Sequence, residues 1–182
     1  MWDEQLVSFG NELIKIRRNF VNNLNSIIYD IHGRLSGNKE QLTLVYEPSA
    51  EEKDFKRLLT ESRDRDIRQK TTGYGPHRDD ISFILGDMDV RKYGSQGQQR
   101  TCALSLKLSE IELVRLVTGD NPILLLDDVF SELDANRQNY LLDSIDNVQT
   151  IVTCTGLDEF INYRFHLDKV FYVKDGHVTE KN

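Results

Sequence analysis

The stretch ILLLDDVFSELD, residues 123–134, decides the fold. It follows Pro122, and its apolar run is too short to cross a membrane, which predicts a strand buried on both faces of a parallel sheet. Open α/β sheets bind ligands at the carboxyl ends of their strands, where Asp127 and Asp128 stand. Because consecutive strand residues point to opposite sides, we expect one carboxylate to hold Mg²⁺ and the other to face an attacking water. An acid that only caps the next helix is the alternative.

A second motif precedes this strand. Residues 93–101 read YGSQGQQRT and lead into an amphipathic stretch that Gly119 ends. Ser95 stands where an N-cap residue would, and Gly97 would let the backbone approach a ligand closely. Free N–H groups and the helix dipole at such a start favour an anion, and a terminal phosphate fits. An ordinary capped helix with exposed glutamines is the alternative.

The order and spacing of these motifs resemble those of ABC-type ATPases. Residues 95–100 are similar to the signature motif, Asp127 and Asp128 to the Walker B carboxylates, and residues 131–134 to the D-loop. Within this superfamily, the same motifs, together with residues 75–80 (GPHRDD) and 2–6 (WDEQL), resemble the RecF family of bacterial recombinational repair proteins. The resemblance covers nearly the whole chain.

The resemblance implies an α/β fold in two parts. Residues 73–182 would form the carboxyl-terminal lobe of an ABC-type ATPase head, a mostly parallel sheet with flanking helices, and residues 1–72 a mainly helical arm. Periodicity predicts the arm independently, because apolar residues from Leu6 to Ile31 recur in steps of three and four, as in one amphipathic helix. Such a helix would be roughly 40 Å long. We further expect a strand near residues 42–46 and a capping box at Ser49 that opens a second helix.

The resemblance also implies ATP and Mg²⁺ as cofactors and an ATP-dependent homodimer with ATP between two heads. Asp127 would hold Mg²⁺, and Asp128 would be the general base. Since Asp128 is one methylene shorter than the usual glutamate, we expect slow turnover. Residues of the signature motif and the D-loop would contact the nucleotide: Ser95, Gln96, Gly97, Gln98 and Asp134.

The partners implied by the family are DNA, at junctions of single and double strands, and RecR and RecO, which help to load the RecA recombinase. A cytoplasmic protein is expected. The net charge of −7, from 23 basic and 30 acidic residues, argues against a surface that coats DNA indiscriminately. Lys15, Arg17 and Arg18 are the candidates for local DNA contact. Cys102 and Cys154 are predicted to be reduced core thiols.

The chain contains no Gly-x-x-x-x-Gly-Lys-Ser/Thr loop, which wraps the phosphates in P-loop ATPases. In the family this loop lies in the amino-terminal half, so we expect Met1 to open a truncated or partial product. Two other interpretations stay open: another ABC-type head, from a chromosome-maintenance protein or a transporter, and a non-catalytic interaction fragment. The long arm helix argues against a transporter, and its short heptad run argues against chromosome maintenance.

We predict that the 182-residue chain by itself does not hydrolyse ATP, because it has no loop to cradle the phosphates. A phosphate-release assay with Mg²⁺ and ATP checks this, with Asp127→Ala as the matched variant. Hydrolysis that Asp127→Ala abolishes would contradict the prediction. Hydrolysis that the substitution leaves unchanged would come from a contaminant.

Overall fold

The computed structural model of the chain describes residues 2–145, 147–155 and 167–180. These residues form two compact units, Met1–Pro122 and Ile123–Asn182, and the predicted α/β class is confirmed. In the described residues, no helix has the length and apolar character needed to cross a membrane. The elements of the first unit are α1 (Trp2–Ser36), β1 (Leu42–Glu47), α2 (Phe55–Gln69), β2 (Asp80–Leu85), β3 (Met88–Asp89), α3 (Val90–Tyr93) and α4 (Gln96–Thr118).

The predicted long amphipathic helix is present as α1, but its buried face is turned away from much of the predicted stripe. Ile14, Val21 and Ile28 are buried, whereas Phe9 is 63% and Ile16 55% exposed. The difference arises because β1 and α4 pack against one flank of the helix. Sequence periodicity gives the width of an apolar face, and the elements that cover it decide which part is buried.

The strands β1, β2 and β3 form an antiparallel sheet in that order. The outer edge of β1 is paired by a side chain of α1: Asn25 Nδ2 donates to Leu44 O, and Leu44 N donates to Asn25 Oδ1, both at 2.8 Å. This amide therefore replaces a neighbouring strand at one residue of the edge. Leu24 and Leu42, both 1% exposed, belong to the core between helix and sheet.

The prediction that Ser49 opens the second helix with a capping box is wrong. The helix α2 begins at Phe55, after Asp54. Ser49 Oγ instead donates to Gly75 O and accepts from Gly75 N, both at 2.9 Å. A hydroxyl can donate and accept at once, and here it closes the connection on either side of α2.

A buried carboxylate joins the parts of this unit. The Asp79 side chain, only 2% exposed, accepts hydrogen bonds from Arg17 Nη1 at 3.2 Å, from Ser49 N at 2.9 Å and from the Tyr46 hydroxyl. Burial first, and then the hydrogen bond to Asp79, raise the pKa of Tyr46, so the phenol stays protonated as a donor. The predicted domain boundary after residue 72 stays a prediction; β1 and β2 lie on either side of it and pair with each other.

The second unit contains the strand that ends at Asp127. Its described elements are β4 (Leu124–Asp127), α5 (Ala135–Ser144), β5 (Thr150–Thr153), β6 (Phe171–Lys174) and β7 (His177–Glu180). The predicted parallel pairing is present between β4 and β5, and β6 and β7 form an antiparallel hairpin. The prediction that β4 is buried on both faces is wrong for the described residues, since Leu126 is 8% exposed and Leu125 is 70% exposed. The two side chains lie on opposite faces of the strand, and packed residues cover one face.

Substitution of two adjacent acids tests the importance of the buried carboxylate. Asp79→Ala leaves the Tyr46 hydroxyl and the Ser49 N–H without their acceptor, so we expect a loss of about 2 to 3 kcal/mol of unfolding free energy. Asp80→Ala is the matched control, because Asp80 is exposed and pairs with the exposed Arg91. Urea unfolding checks both variants. An equal loss in the two would contradict the structural role of Asp79.

Candidate functional site

The start of α4 is a closed capping box, as the N-cap prediction for Ser95 requires. Ser95 Oγ accepts from Gln98 N at 3.2 Å, and Gln98 Oε1 accepts from Ser95 N at 2.9 Å. The first intrahelical bond of the next turn runs from Gln99 N to Ser95 O, at 2.9 Å. The N–H groups of Gln96 and Gly97 precede this bond, so no carbonyl of the helix can accept from them. The turn therefore has the form that favours an anion.

The other end of the Gln98 amide is bound by Glu40, which no sequence motif indicates as a site residue. Gln98 Nε2 donates to Glu40 Oε1 at 2.6 Å, and Glu40 lies in the loop between α1 and β1. Glu40 is far from the motif in sequence, and no pattern around it indicates a task. Only the fold brings the two side chains together.

The two glycines of this turn, Gly94 and Gly97, have different surroundings. A Cβ at Gly94 would lie 2.5 Å from Val90 O, so the backbone of α3 excludes any side chain there. A Cβ at Gly97 would have Ser95 Oγ, at 4.0 Å, as its closest described neighbour. Packing inside this unit therefore does not require glycine at 97. The close approach of a ligand remains the predicted reason.

The body of α4 is attached to α1 through polar as well as apolar contacts. Ser105 Oγ donates to Thr101 O at 2.7 Å and lies 2.9 Å from His32 Nδ1. Because the Ser105 hydroxyl hydrogen is used within the helix, we assign the proton of this contact to His32 Nδ1. His32 and Ser105 are fully buried. The signature turn therefore begins a helix that is fixed against the long arm helix.

The two cysteines have different surroundings. Cys102 is buried, as predicted, and burial first, then the charge of Glu40, raises the pKa of its thiol to about 12. A thiol that holds its proton at neutral pH is a poor nucleophile. The core prediction is wrong for Cys154, which is exposed in the segment that follows β5.

In the second unit, the register of the parallel strands places Thr153 opposite Asp127. Thr153 Oγ1 donates to Asp127 Oδ1, and Asp128 N donates to Thr153 O at 3.1 Å. No sequence motif indicates a task for Thr153. The rule that neighbouring parallel strands end at the same edge could have identified it.

Asp128 lies just beyond β4 in a left-handed conformation, with φ 50° and ψ 24°. Alternation along the strand therefore does not apply to Asp128 and does not determine where its side chain points. Aspartate is among the residues that tolerate this conformation, at a cost of roughly 1 kcal/mol. Ser131 Oγ supports the turn by donating to Asp128 O at 2.8 Å. Both Asp127 and Asp128 are exposed.

Asp134 is the N-cap of α5. Its Oδ1 accepts from Asn136 N at 3.1 Å and from Arg137 N at 3.0 Å, and its Oδ2 accepts from Arg137 Nη1 at 2.6 Å. The carboxylate thus has a structural task at the helix start. Contact with a nucleotide remains a prediction for this residue.

The chemistry of the strand end fits Mg²⁺. Within the described ranges, no three His, Cys, Asp or Glu side chains cluster in a way that could hold a metal. Mg²⁺ in nucleotide sites does not need such a cluster, because it is bound through one or two carboxylates together with phosphates and water. The exposed carboxylate of Asp127, oriented by the Thr153 hydroxyl, is a suitable oxygen ligand.

Each of the three cations predicted to contact DNA forms an ion pair inside the first unit: Lys15 with Glu52 (3.3 Å), Arg17 with Asp79 (3.2 Å) and Arg18 with Glu51 (2.8 Å). The Arg18 guanidinium also lies over the Tyr46 ring, 5.9 Å from its centroid. A DNA phosphate would have to compete with these acids. Lys15 has the most exposed side chain of the three, at 64%.

Comparisons with known proteins agree with the resemblance seen in the motifs. No protein-family model matches the chain. DNA replication and repair protein RecF of Lachnospira eligens is 58% identical over 182 residues, which are 100% of this chain and 50% of that protein. The RecF of Clostridium perfringens is 39% identical over 183 residues, with 98% of this chain and 51% of that protein covered. The chain spans about half the length of the curated relatives it matches.

Two solved structures have the same fold. One is the recombination mediator protein RecF with ATP in the RecFOR pathway, with a TM-score of 0.82 and 35% identity over 99% of this chain and 49% of that chain. The other is RecF with ATPγS, with a TM-score of 0.80 and 36% identity over 98% of this chain and 49% of that chain. By sequence and by fold, the chain is therefore similar to the RecF proteins over about half of their length.

Proposed function

We propose that this chain forms part of a RecF-type DNA-repair ATPase that works with RecR and RecO. The observation that carries the proposal is the exposed carboxylate pair Asp127 and Asp128 at the end of a parallel strand pair. The capped turn at Ser95 adds the second motif of the same machinery. Similarity to RecF over the whole chain, and to the fold of RecF with ATP, supports this function.

Asp127 and Asp128, at the end of β4, would have different roles in hydrolysis. Asp127 would hold Mg²⁺, with its carboxylate oriented by Thr153. Bound Mg²⁺ would neutralise charge on the phosphates. Asp128 would take the proton of the attacking water, from a backbone fixed by Thr153 and Ser131. An aspartate holds that water less closely than a glutamate would, which favours slow turnover and the task of a switch.

The signature turn would act as a clamp on ATP. The Ser95 hydroxyl accepts from Gln98 N, so its own hydrogen is left to donate to a phosphate oxygen. The N–H groups of Gln96 and Gly97 and the helix dipole add to the attraction. In the ABC-type arrangement, these groups and Asp134 close on ATP held by the other subunit. ATP would then stabilise a homodimer.

The proposed DNA task rests on the family resemblance. The protein would bind junctions of single- and double-stranded DNA in the cytoplasm and help to load RecA. With a net charge of −7, its attraction to DNA has to come from local groups. Lys15 is the candidate with the most exposed side chain, and Arg17 and Arg18 would contribute only if they exchanged acid partners for phosphates.

Asp128→Asn, in a full-length protein that contains these residues, tests the assignment of the base. Asparagine keeps the size of the side chain but accepts no proton, so we expect hydrolysis to fall about a hundredfold or more. ATP-dependent dimerisation, measured by light scattering, should survive. Asp143→Asn, an exposed acid of α5, is the control. Unchanged hydrolysis in Asp128→Asn would exclude Asp128 as the base.

A pair of variants with opposite expected effects tests DNA contact at Lys15. Lys15→Ala should weaken binding to a DNA junction. It should also lower, by about one, the magnitude of the slope of log binding constant against log salt concentration, because one phosphate contact is lost. Glu52→Gln should strengthen binding, because it releases Lys15 from its ion pair. Fluorescence anisotropy at several salt concentrations measures both, with Lys107→Ala on α4 as control. If both variants bind like the wild type, Lys15 does not touch DNA.

A further inference from the structure

Glu40 is held in a loop that is anchored at both ends. Gly37 and Asn38 turn the chain after α1 with φ of 68° and 58°, and Asn38 N donates to Gly33 O at 2.7 Å. On the other side, Gly86 N donates to Gln41 O at 3.3 Å, where the strand β1 begins. The carboxylate of Glu40 is therefore presented to α4 by ordered backbone.

The charge of this carboxylate decides how the Gln98 amide is oriented. A carboxylate only accepts hydrogen bonds, so the amide must turn its NH₂ group toward Glu40. The amide oxygen then faces Ser95 N, where it accepts at 2.9 Å and completes the capping box. With the amide reversed, oxygen would face carboxylate and NH₂ would face N–H, so both contacts would be repulsive.

We propose that Glu40 is a positioning residue of the nucleotide clamp: it fixes the Gln98 amide and, through it, the N–H of Ser95 at the signature turn. The inference rests on the proposed function of that turn and adds a residue to it. With the amide held by Glu40 and Ser95, the Ser95 hydroxyl and the N–H groups of Gln96 and Gly97 keep one arrangement before ATP arrives. A preformed arrangement saves the ordering cost at binding.

The test combines one measurement on the turn with one on its function. Amide hydrogen exchange of Ser95, followed by NMR in the 182-residue chain, reports the bond to Gln98 without nucleotide. Glu40→Ala should accelerate this exchange about threefold to tenfold, the range of a partly exposed charge-assisted hydrogen bond. Glu40→Gln should give a smaller effect, because its amide oxygen still accepts from Gln98. Lys39→Ala, an exposed neighbour in the same loop, should give none.

In the full-length protein, Glu40→Ala should weaken ATP-dependent dimerisation by a similar factor. In a protein that already carries Gln98→Ala, the Glu40→Ala substitution should not weaken dimerisation further, because the two side chains act as one unit. Unchanged Ser95 exchange in Glu40→Ala, or additive effects with Gln98→Ala, would overturn the proposal, as would accelerated exchange with unchanged dimerisation. If the wild type does not dimerise with ATP, the proposed function fails, while accelerated exchange still supports the contact of Glu40 with the turn.

Discussion

The register that pairs Asp127 with Thr153 is the constraint on which the proposed chemistry depends. Parallel strands end at a common edge, so a hydroxyl from β5 can orient the last carboxylate of β4. The same threonine binds the backbone of Asp128 and fixes the left-handed turn that follows. A shift of one residue would replace Thr153 by a neighbour that points to the other face. The proposed metal ligand Asp127 and the proposed general base Asp128 would then both lose their hydrogen-bond support.

In the first unit, hydrogen bonds between segments that are distant in sequence fix the positions of those segments. Asp79 accepts hydrogen bonds from donors in α1, in β1 and in the segment before α2. Glu40, in the loop after α1, accepts a hydrogen bond from Gln98 at the start of α4. Such contacts fix orientation, because a hydrogen bond forms only over a narrow range of distance and angle. The proposed clamp at Ser95 is therefore held from its own helix and from the arm helix together.

Local patterns predicted the elements well and their contacts poorly. The period of α1, the cap at Ser95 and the acid at the end of β4 are written in neighbouring residues, and all three are present. The exposed Phe9 and the pairing of Ser49 with Gly75 depend on which segments meet in the fold. The same is true of Glu40 with Gln98, so no pattern in the sequence could identify Glu40.

In the proposed dimer, the clamp of one subunit acts on the ATP of the other. Mixing two inactive full-length variants, Asp128→Asn and Ser95→Arg, tests it most directly. In a mixed dimer one site carries both defects and the other carries none, so hydrolysis should return to about a quarter of the wild-type rate at equal mixing. A mixture as inactive as its parents, with mixed dimers present, would contradict the account.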